Sequence, residues 1–174
     1  MKTDTRVFFS SRLLTLFESE QECFNTGCYQ LFLKLSENKI IQVGALGSRR
    51  FQGGIYIYSG SGRKHLLQRI ERHLSFSKKK FWHIDYLSSC SDFLFLDIII
   101  YFSTESECFF HQLFQKFAGA HIPVPGFGST DCKNGCGSHL LFLKSEELIV
   151  LSNWQEFLHK NYRQLKCRRL SDSQ

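Results

Sequence analysis

The sequence predicts an α+β fold in which a small, mainly antiparallel sheet is flanked by helices. Segments 28–35 and 54–59 alternate apolar residues with other residues, which is typical of strands. Segment 63–74 has apolar residues at helical spacing with charged residues between them, which favours an amphipathic helix. The 174-residue length fits one domain. We therefore expect an N-terminal extension at 1–22, a single domain at 23–166 and a basic, polar tail at 167–174.

Each remaining element is predicted from its local pattern. We expect a hairpin between strands 28–35 and 39–43 across a Ser-Glu-Asn turn. Glycine-rich segments predict loops, and Gly60 to Gly62 are expected to end the third strand. A helix at 152–165 is expected to be capped by Ser152 or Asn153. The remaining predictions are strands at 82–87, 92–102 and 140–143, a helix at 105–117, and loops at 44–54 and 123–138.

Positive charge is concentrated in one short window of the chain. There are 22 Lys and Arg residues against 16 Asp and Glu residues, a formal net charge of +6. Segment 63–80 contains seven basic residues and one acid, so it accounts for the whole excess. Such a patch indicates a polyanionic partner, most simply a nucleic-acid backbone. The alternative is a solvated basic helix face. The residues expected to contact the backbone are Arg63, Lys64, Arg72, Lys78, Lys79 and Lys80.

Composition argues against several classes of protein. The chain is 43% hydrophobic and 22% charged, unlike a disordered segment. No apolar run approaches the roughly 20 residues of a membrane span, and the N-terminus shows no secretory signal. Seven scattered cysteines then indicate reduced thiols rather than a disulfide framework. We expect a cytoplasmic protein with no membrane partner.

A strand, a glycine-rich break and a basic helix follow one another at 54–74. Glycines allow close approach of a ligand to the backbone, and a helix N-terminus favours an anionic group. Arg69 and His73 are four residues apart and would share one helix face. Phosphodiester hydrolysis needs a base for water, a cation for the developing charge and usually a metal ion.

Two short strings resemble the GIY-YIG endonuclease superfamily. They are Gly-Cys-Tyr at 27–29 and Tyr-Ser-Gly at 58–60, followed by Arg69 and His73 on a helix. The literal Gly-Ile-Tyr at 54–56 does not supply the first motif, because its tyrosine lies on the same strand as Tyr58. Tyr29 is on a separate strand and is preferred.

Longer strings resemble the branch of that superfamily catalogued as domain of unknown function 123, whose members are sometimes fused to endonuclease III. They are Trp-His-Ile-Asp-Tyr-Leu at 82–87, Pro-Gly-Phe-Gly-Ser-Thr-Asp-Cys at 125–132 and Ser-His-Leu at 138–140. The resemblance implies a three-stranded antiparallel sheet flanked by helices, here with an extra C-terminal strand and helix. It also implies metal-dependent hydrolysis of phosphodiester bonds in DNA, in a role related to repair.

The resemblance assigns water activation to Tyr29 or Tyr58 and a clamp on the scissile phosphate to Arg69. His73 would assist proton transfer or bind phosphate. A tyrosine has a pKa near 10 and is a poor base at neutral pH. The basic helix is therefore expected to lower the tyrosine pKa.

The family's metal ligand is a glutamate on a later helix, which Glu107 matches best, with Glu105 as the near alternative. One such oxygen ligand suits a single Mg²⁺ or Mn²⁺ ion. Without the family, Glu107 would be interpreted as a solvated acid favoured by the helix dipole.

Two further groups carry candidate chemistry. His83 and Asp85 would share one face of the strand predicted at 82–87, either as a catalytic or metal-orienting couple or as a structural hydrogen bond. The second group consists of Asp131, Cys132, Cys136 and His139. It could bind Zn²⁺ if Asp131 or a distant histidine completed four ligands, or it could form a loop facing the substrate.

The favoured function is a metal-dependent endonuclease acting on DNA. One alternative is a nucleic-acid-binding module with the same fold but no catalytic turnover. Another is a zinc-stabilised interaction domain.

Overall fold

The computed structural model describes residues 6–9, 26–102, 105–144 and 148–161. Within these ranges it contains seven strands, four α-helices and a short 3₁₀ turn at Gly44–Leu46. The strands are β1 (Arg6–Phe9), β2 (Gly27–Leu35), β3 (Lys39–Gln42), β4 (Ser48–Phe51), β5 (Gly54–Gly62), β6 (Phe93–Phe102) and β7 (Leu140–Leu143). The helices are α1 (Leu66–Leu74), α2 (His83–Ser88), α3 (Glu107–Ala118) and α4 (Leu148–Asn161). The tail predicted at 167–174 lies outside the described residues.

The main sheet confirms the α+β prediction and is antiparallel throughout. Its strand order is β1-β6-β2-β5-β7, and every neighbouring pair runs antiparallel. The three central strands have nine or ten residues each, and the two outer strands have four. The sheet therefore has five strands, and β1 belongs to it although residues 1–22 were predicted to be an extension.

Both faces of the sheet are covered, which explains why β2 is buried over nearly its whole length. Successive side chains of a strand point to opposite faces. Tyr29, Leu31, Leu33 and Leu35 pack with residues of α1 and α2. Cys28 and Phe32 point the other way and pack with residues of α3 and α4, including Phe110, Phe114 and Trp154. The sheet is thus the middle layer of three.

The predicted hairpin between the first two strands is wrong. Strand β3 pairs with β4 in a separate two-stranded sheet, because β5 and β6 occupy both edges of β2. The predicted break after residue 59 is also wrong. Strand β5 continues through the glycines, and Gly62 is the Cα partner of Gly27.

The strand predicted at 82–87 is a helix. Asp85 is the third residue of α2, and its Oδ2 accepts hydrogen bonds from the backbone N–H groups of Phe81 and Trp82, both at 2.9 Å. This reach back to the start of the helix satisfies donors that have no partner within it. The carboxylate therefore favours a helix where apolar residues suggested a strand.

The helix predicted at 152–165 begins four residues earlier, at Leu148, so Ser152 and Asn153 are not its N-cap. Its predicted end at Leu165 lies outside the described residues. Within the described part of the chain, no helix is both long enough and apolar enough to cross a membrane.

Trp154 attaches α4 to the sheet. Its side chain is fully buried and makes an edge-to-face contact with Phe114 at 5.1 Å between ring centroids. Its Nε1 donates to Tyr101 Oη at 3.2 Å, and Tyr101 Oη donates to Gln30 Oε1 at 2.5 Å. The indole therefore fills the core between the sheet and helices α3 and α4. It also completes a buried polar network with Tyr101 and Gln30.

We predict that Trp154→Ala lowers the free energy of unfolding by about 3–5 kcal/mol, because it leaves a cavity and removes a donor from this network. Urea denaturation measures the change. Asn153→Ala is the matched control, because Asn153 is exposed on the same helix. A loss below about 1 kcal/mol for Trp154→Ala would contradict the role assigned to the indole.

Candidate functional site

An open cleft of about 640 Å³ lies between the end of β5, the start of α3 and segment 128–139. One wall is basic and carries Arg63, Lys64 and Arg69. The facing residues from α3 and the loop include two acids, Glu107 and Asp131. The cleft therefore contains both positively charged side chains that can bind an anion and carboxylates that can bind a cation.

Two tyrosines lie side by side at this end of the sheet. Tyr29 is the Cα partner of Gly60 and Tyr58 is the partner of Leu31, so the tyrosines are diagonal neighbours on one face. Their ring centroids are 6.4 Å apart. Tyr56 lies instead in the core, where its Oη donates to the Gln52 carbonyl at 2.7 Å. The structure therefore brings together the tyrosines of the preferred strings.

Gly60 provides the space that Tyr29 occupies. A Cβ added at position 60 would lie 2.4 Å from Tyr29 Oη and 2.5 Å from Cζ. Neither atom is free to move, because Tyr29 is 1% exposed and its hydroxyl is hydrogen-bonded to His73. Glycine at this position is thus a packing requirement of the tyrosine pair.

The two tyrosines differ in their access to the cleft. Tyr58 lines it, and Tyr29 lies behind it. Burial raises the pKa of both hydroxyls above the usual value, although Arg69 acts in the opposite direction on each. The expectation that the basic helix lowers the tyrosine pKa is therefore wrong, because desolvation outweighs the nearby cation. Both phenols remain protonated at neutral pH.

Asp85, His73 and Tyr29 form a buried line that leads toward the cleft. His73 Nε2 lies 2.7 Å from Tyr29 Oη, and His73 Nδ1 lies 3.6 Å from Asp85 Oδ1. Burial lowers the pKa of His73, partly offset by Asp85, so the imidazole is neutral. Tyr29 then donates to Nε2, and Nδ1 carries the proton that faces Asp85. His73 is 2% exposed, so it is placed for proton transfer and not for direct contact with phosphate.

His83 and Asp85 do not form the predicted couple, because a helix replaces the strand. His83 Nδ1 accepts a hydrogen bond from the Gly128 amide at 2.9 Å, which joins α2 to the loop across the cleft. Asp85 is fully buried and accepts from Arg72 Nη2 at 2.6 Å. Its pKa falls well below the usual value, because the nearby His73 ring and the hydrogen bonds from Arg72 and two backbone amides outweigh the cost of burial.

The ring of Trp82 contacts the guanidinium groups of both Arg69 and Arg72. The Cζ atoms of Arg69 and Arg72 lie 4.5 and 4.9 Å from the centre of its ring, within the range of cation–π attraction. Arg69 also lines the cleft. The indole thus restricts the guanidinium of Arg69 that lines the cleft.

The predicted backbone-binding residues divide into two groups. Arg63, Lys64, Lys79 and Lys80 are exposed, and the first two line the cleft. Arg72 is paired with Asp85. Lys78 Nζ donates to the Arg72 and His73 carbonyls at 2.9 and 2.8 Å, at the C-terminal end of α1, and burial lowers its pKa to about 8. Arg72 and Lys78 are therefore parts of the scaffold.

Glu107 is placed better than Glu105 as a cleft carboxylate. Glu107 is the first residue of α3 and lines the cleft, where its charge acts on the pKa of both Tyr29 and Tyr58. The backbone carbonyl of Glu105 accepts from Cys28 Sγ at 3.3 Å, on the other face of the sheet.

The cysteine-rich loop forms a four-residue cluster that could hold a metal ion such as zinc. Its members are Cys108, Cys132, Cys136 and His139, with one donor atom from each lying within 4.8 Å of all the others. Asp131, predicted as the fourth member, is exposed and lines the cleft instead. The fourth donor comes from the second residue of α3, a thiol 24 positions before Cys132.

Comparison with protein-family models identifies the family of the chain. The family model described as domain of unknown function DUF123 matches residues 28–161. The chain belongs to the DUF123 family. No match was found among curated proteins, and none was found among solved structures.

Sequence reasoning missed three parts of this DUF123 site. Cys108 joins the thiol cluster, Trp82 holds the arginines, and Phe81 lines the cleft while remaining 77% exposed. Cys108 was not assigned to the cluster, because nothing in its local sequence connects it to segment 132–139. An aromatic pair beside a run of three lysines was the available signal for Phe81 and Trp82.

We predict that acid destabilises this DUF123 chain partly through Asp85. Its pKa is about 3.8 when unpaired and lower in the folded protein, so the unfolded state takes up the proton first. The stabilisation is complete above pH 3.8 and is lost as the pH falls through the folded-state pKa.

Asp85→Asn, which leaves the facing Arg72 and His73 in place, should reduce the free energy of unfolding at neutral pH. It should also flatten the decline below pH 3.8. Chemical denaturation across the acid range measures both effects. Glu71→Gln, at an exposed carboxylate on α1, should change neither. An unchanged acid slope in Asp85→Asn would refute the assignment.

Proposed function

We propose that the protein is a metal-dependent endonuclease that hydrolyses phosphodiester bonds in DNA, as its resemblance to the GIY-YIG superfamily implies. The observation that carries the proposal is the placement of Tyr58, Arg69 and Glu107 around one open cleft, with Tyr29 directly behind. These residues come from three distant segments of the chain. The proposal takes the three long strands of the five-stranded sheet as the three strands that the resemblance implies.

The basic wall supports binding of a phosphate backbone. Arg63 and Lys64 are exposed at the end of β5, where a backbone can pass over them. Phe81 presents an exposed ring at the same cleft, and such rings stack on unpaired bases. This combination favours nucleic acid over a small phosphorylated metabolite.

Arg69 is assigned to the scissile phosphate. Its guanidinium faces the cleft and rests against Trp82, so little side-chain freedom remains to be lost on binding. A fixed cation near the phosphorus stabilises the charge that develops in the transition state.

The carboxylates fit a hard divalent cation. Glu107 and Asp131 both line the cleft, and carboxylate oxygens with water in the remaining positions suit Mg²⁺ or Mn²⁺. We assign Glu107 as the ligand of one such ion, which would supply Lewis-acid stabilisation of the phosphate when bound.

Tyr58 is assigned to orient the attacking water, because it is the tyrosine that faces the cleft. Its raised pKa makes it a hydrogen-bonding partner of that water and not an ionised base. Tyr29 and His73 offer a route for the proton that the attacking water loses: Tyr29 Oη would pass its own proton to His73 Nε2 and take up the proton from the water side, which leaves Tyr29 neutral and an imidazolium beside the Asp85 carboxylate. Such pairing stabilises the charged ring.

We predict that Arg69→Ala and Glu107→Ala each lower cleavage by at least about a hundredfold, the scale associated with removal of one transition-state contact. The assay uses duplex, branched and damaged DNA with Mg²⁺ or Mn²⁺. Arg49→Ala and Glu71→Ala are matched controls, because both residues are exposed outside the cleft. Equal cleavage by the wild type and both site variants would reject the site.

The same experiment separates the nuclease from a binding module with the same fold. Salt-sensitive DNA binding without cleavage of any substrate in either metal would favour the binding module.

We predict that Lys64→Ala weakens DNA binding and reduces the slope of log affinity against log salt by about 0.9, the value for one lost phosphate contact. Fluorescence anisotropy at several salt concentrations measures the slope. Arg49→Ala should leave it unchanged, because Arg49 lies on β4 in the separate hairpin. A Lys64→Ala slope equal to that of the wild type would show that Lys64 makes no phosphate contact.

A further inference from the structure

Two donor spacings in the thiol cluster match those of a tetrahedral metal site, and all four donor atoms lie within 4.8 Å of one another. Typical zinc bond lengths of about 2.3 Å to sulfur and about 2.0–2.1 Å to nitrogen place tetrahedral ligands about 3.8 Å apart for two sulfurs and about 3.6 Å apart for sulfur and nitrogen. The distance between Cys108 Sγ and Cys132 Sγ is 3.6 Å, and that between Cys108 Sγ and His139 Nε2 is 3.5 Å. The fold already holds Cys108 at the spacing from Cys132 and from His139 that two vertices of such a tetrahedron require.

We propose that Cys108, Cys132, Cys136 and His139 bind one structural Zn²⁺ ion. Three thiolates and one imidazole form a complete four-ligand set that leaves no position for substrate, as in structural rather than catalytic zinc sites. Three of the four residues are buried and the fourth is half-buried. Thiolate-rich tetrahedral donor sets favour zinc over magnesium, calcium and manganese.

A neighbouring side chain supports the ligand set. Gln112 Nε2 lies 3.7 Å from Cys136 Sγ as a donor, one turn along α3 from Cys108. Hydrogen bonds to ligand atoms orient them and reduce the charge that they present to the metal. The cluster therefore has an outer contact as well as four ligands.

The site connects elements that are far apart in sequence. Cys108 is in the first turn of α3, Cys132 and Cys136 are in the loop after it, and His139 directly precedes β7. Glu107 and Asp131 each precede a ligand by one residue, and both line the cleft. Zinc therefore acts as a positioning device that holds the two cleft carboxylates against the tyrosine strands.

The first test is the metal content of the full-length chain purified under reducing conditions. We expect about one zinc per chain, and Co²⁺ substitution should produce the thiolate charge-transfer and intense visible bands of a tetrahedral site. Cys132→Ser and Cys136→Ser should lose stoichiometric zinc. Cys90→Ser is the matched control, since Cys90 is a half-buried free thiol outside the cluster.

A second measurement does not depend on whether the variants fold. Removing zinc from the wild type with a chelator should increase amide hydrogen exchange in segments 105–108 and 128–139, while β2 and β5 remain protected. The zinc site is rejected if the folded wild type contains no zinc and shows no charge-transfer band with Co²⁺. A disulfide between Cys108 and Cys132 would likewise overturn it. Unchanged exchange after zinc removal would overturn the positioning role.

The zinc site does not rest on the proposed nuclease activity. A chain that binds zinc but does not cleave DNA retains the site and loses the nuclease assignment. A chain that cleaves DNA but contains no zinc retains the nuclease assignment and loses the zinc site.

Discussion

The register between β2 and β5 is the constraint on which the rest of the structure depends. Pairing Gly27 with Gly62 aligns Tyr29 with Gly60 and places Tyr58 diagonally beside it on the same face. Because strand side chains alternate, a register shift of one residue between β2 and β5 would place the two tyrosines on opposite faces of the sheet. The absence of a side chain at Gly60 favours this register by accommodating the Tyr29 ring. The position of the Tyr29 ring therefore depends on the glycine at position 60.

The buried carboxylate of Asp85 connects the sheet to the two helices that pack on it. Asp85 accepts hydrogen bonds from Arg72 and from two backbone amides at the start of α2, and it faces the imidazole that holds Tyr29. Breaking a buried ion pair by removing one partner commonly costs several kcal/mol. The same group fixes the helix start, the scaffold arginine and the tautomer of His73. Asp85 therefore contributes both to the stability of the fold and to the arrangement of the side chains at the cleft.

Sequence reasoning predicted the parts of the fold that local patterns determine. Strands β2, β6 and β7 and helices α1 and α3 were located within about three residues, because apolar periodicity and turn residues act over short distances. The predicted partners of β3 and the conformation of residues 82–87 were wrong. Both depended on contacts across the chain: β2 already had two neighbours, and Asp85 was paired with Arg72. For the site, the two tyrosines of the preferred strings lie side by side, but Cys108 was not linked to the later thiols because their proximity exists only after folding.

The short strand β1 has a consequence for how the chain tolerates shortening. It pairs with residues 99–102 at one end of β6, although it lies before the region matched by the family model. A chain that started at residue 23 would leave that edge of β6 with unpaired backbone groups. Exposed edges of this kind recruit strands from other molecules and promote aggregation. Within the described residues, the N-terminal strand therefore shields the backbone groups of residues 99–102 from pairing with a second molecule.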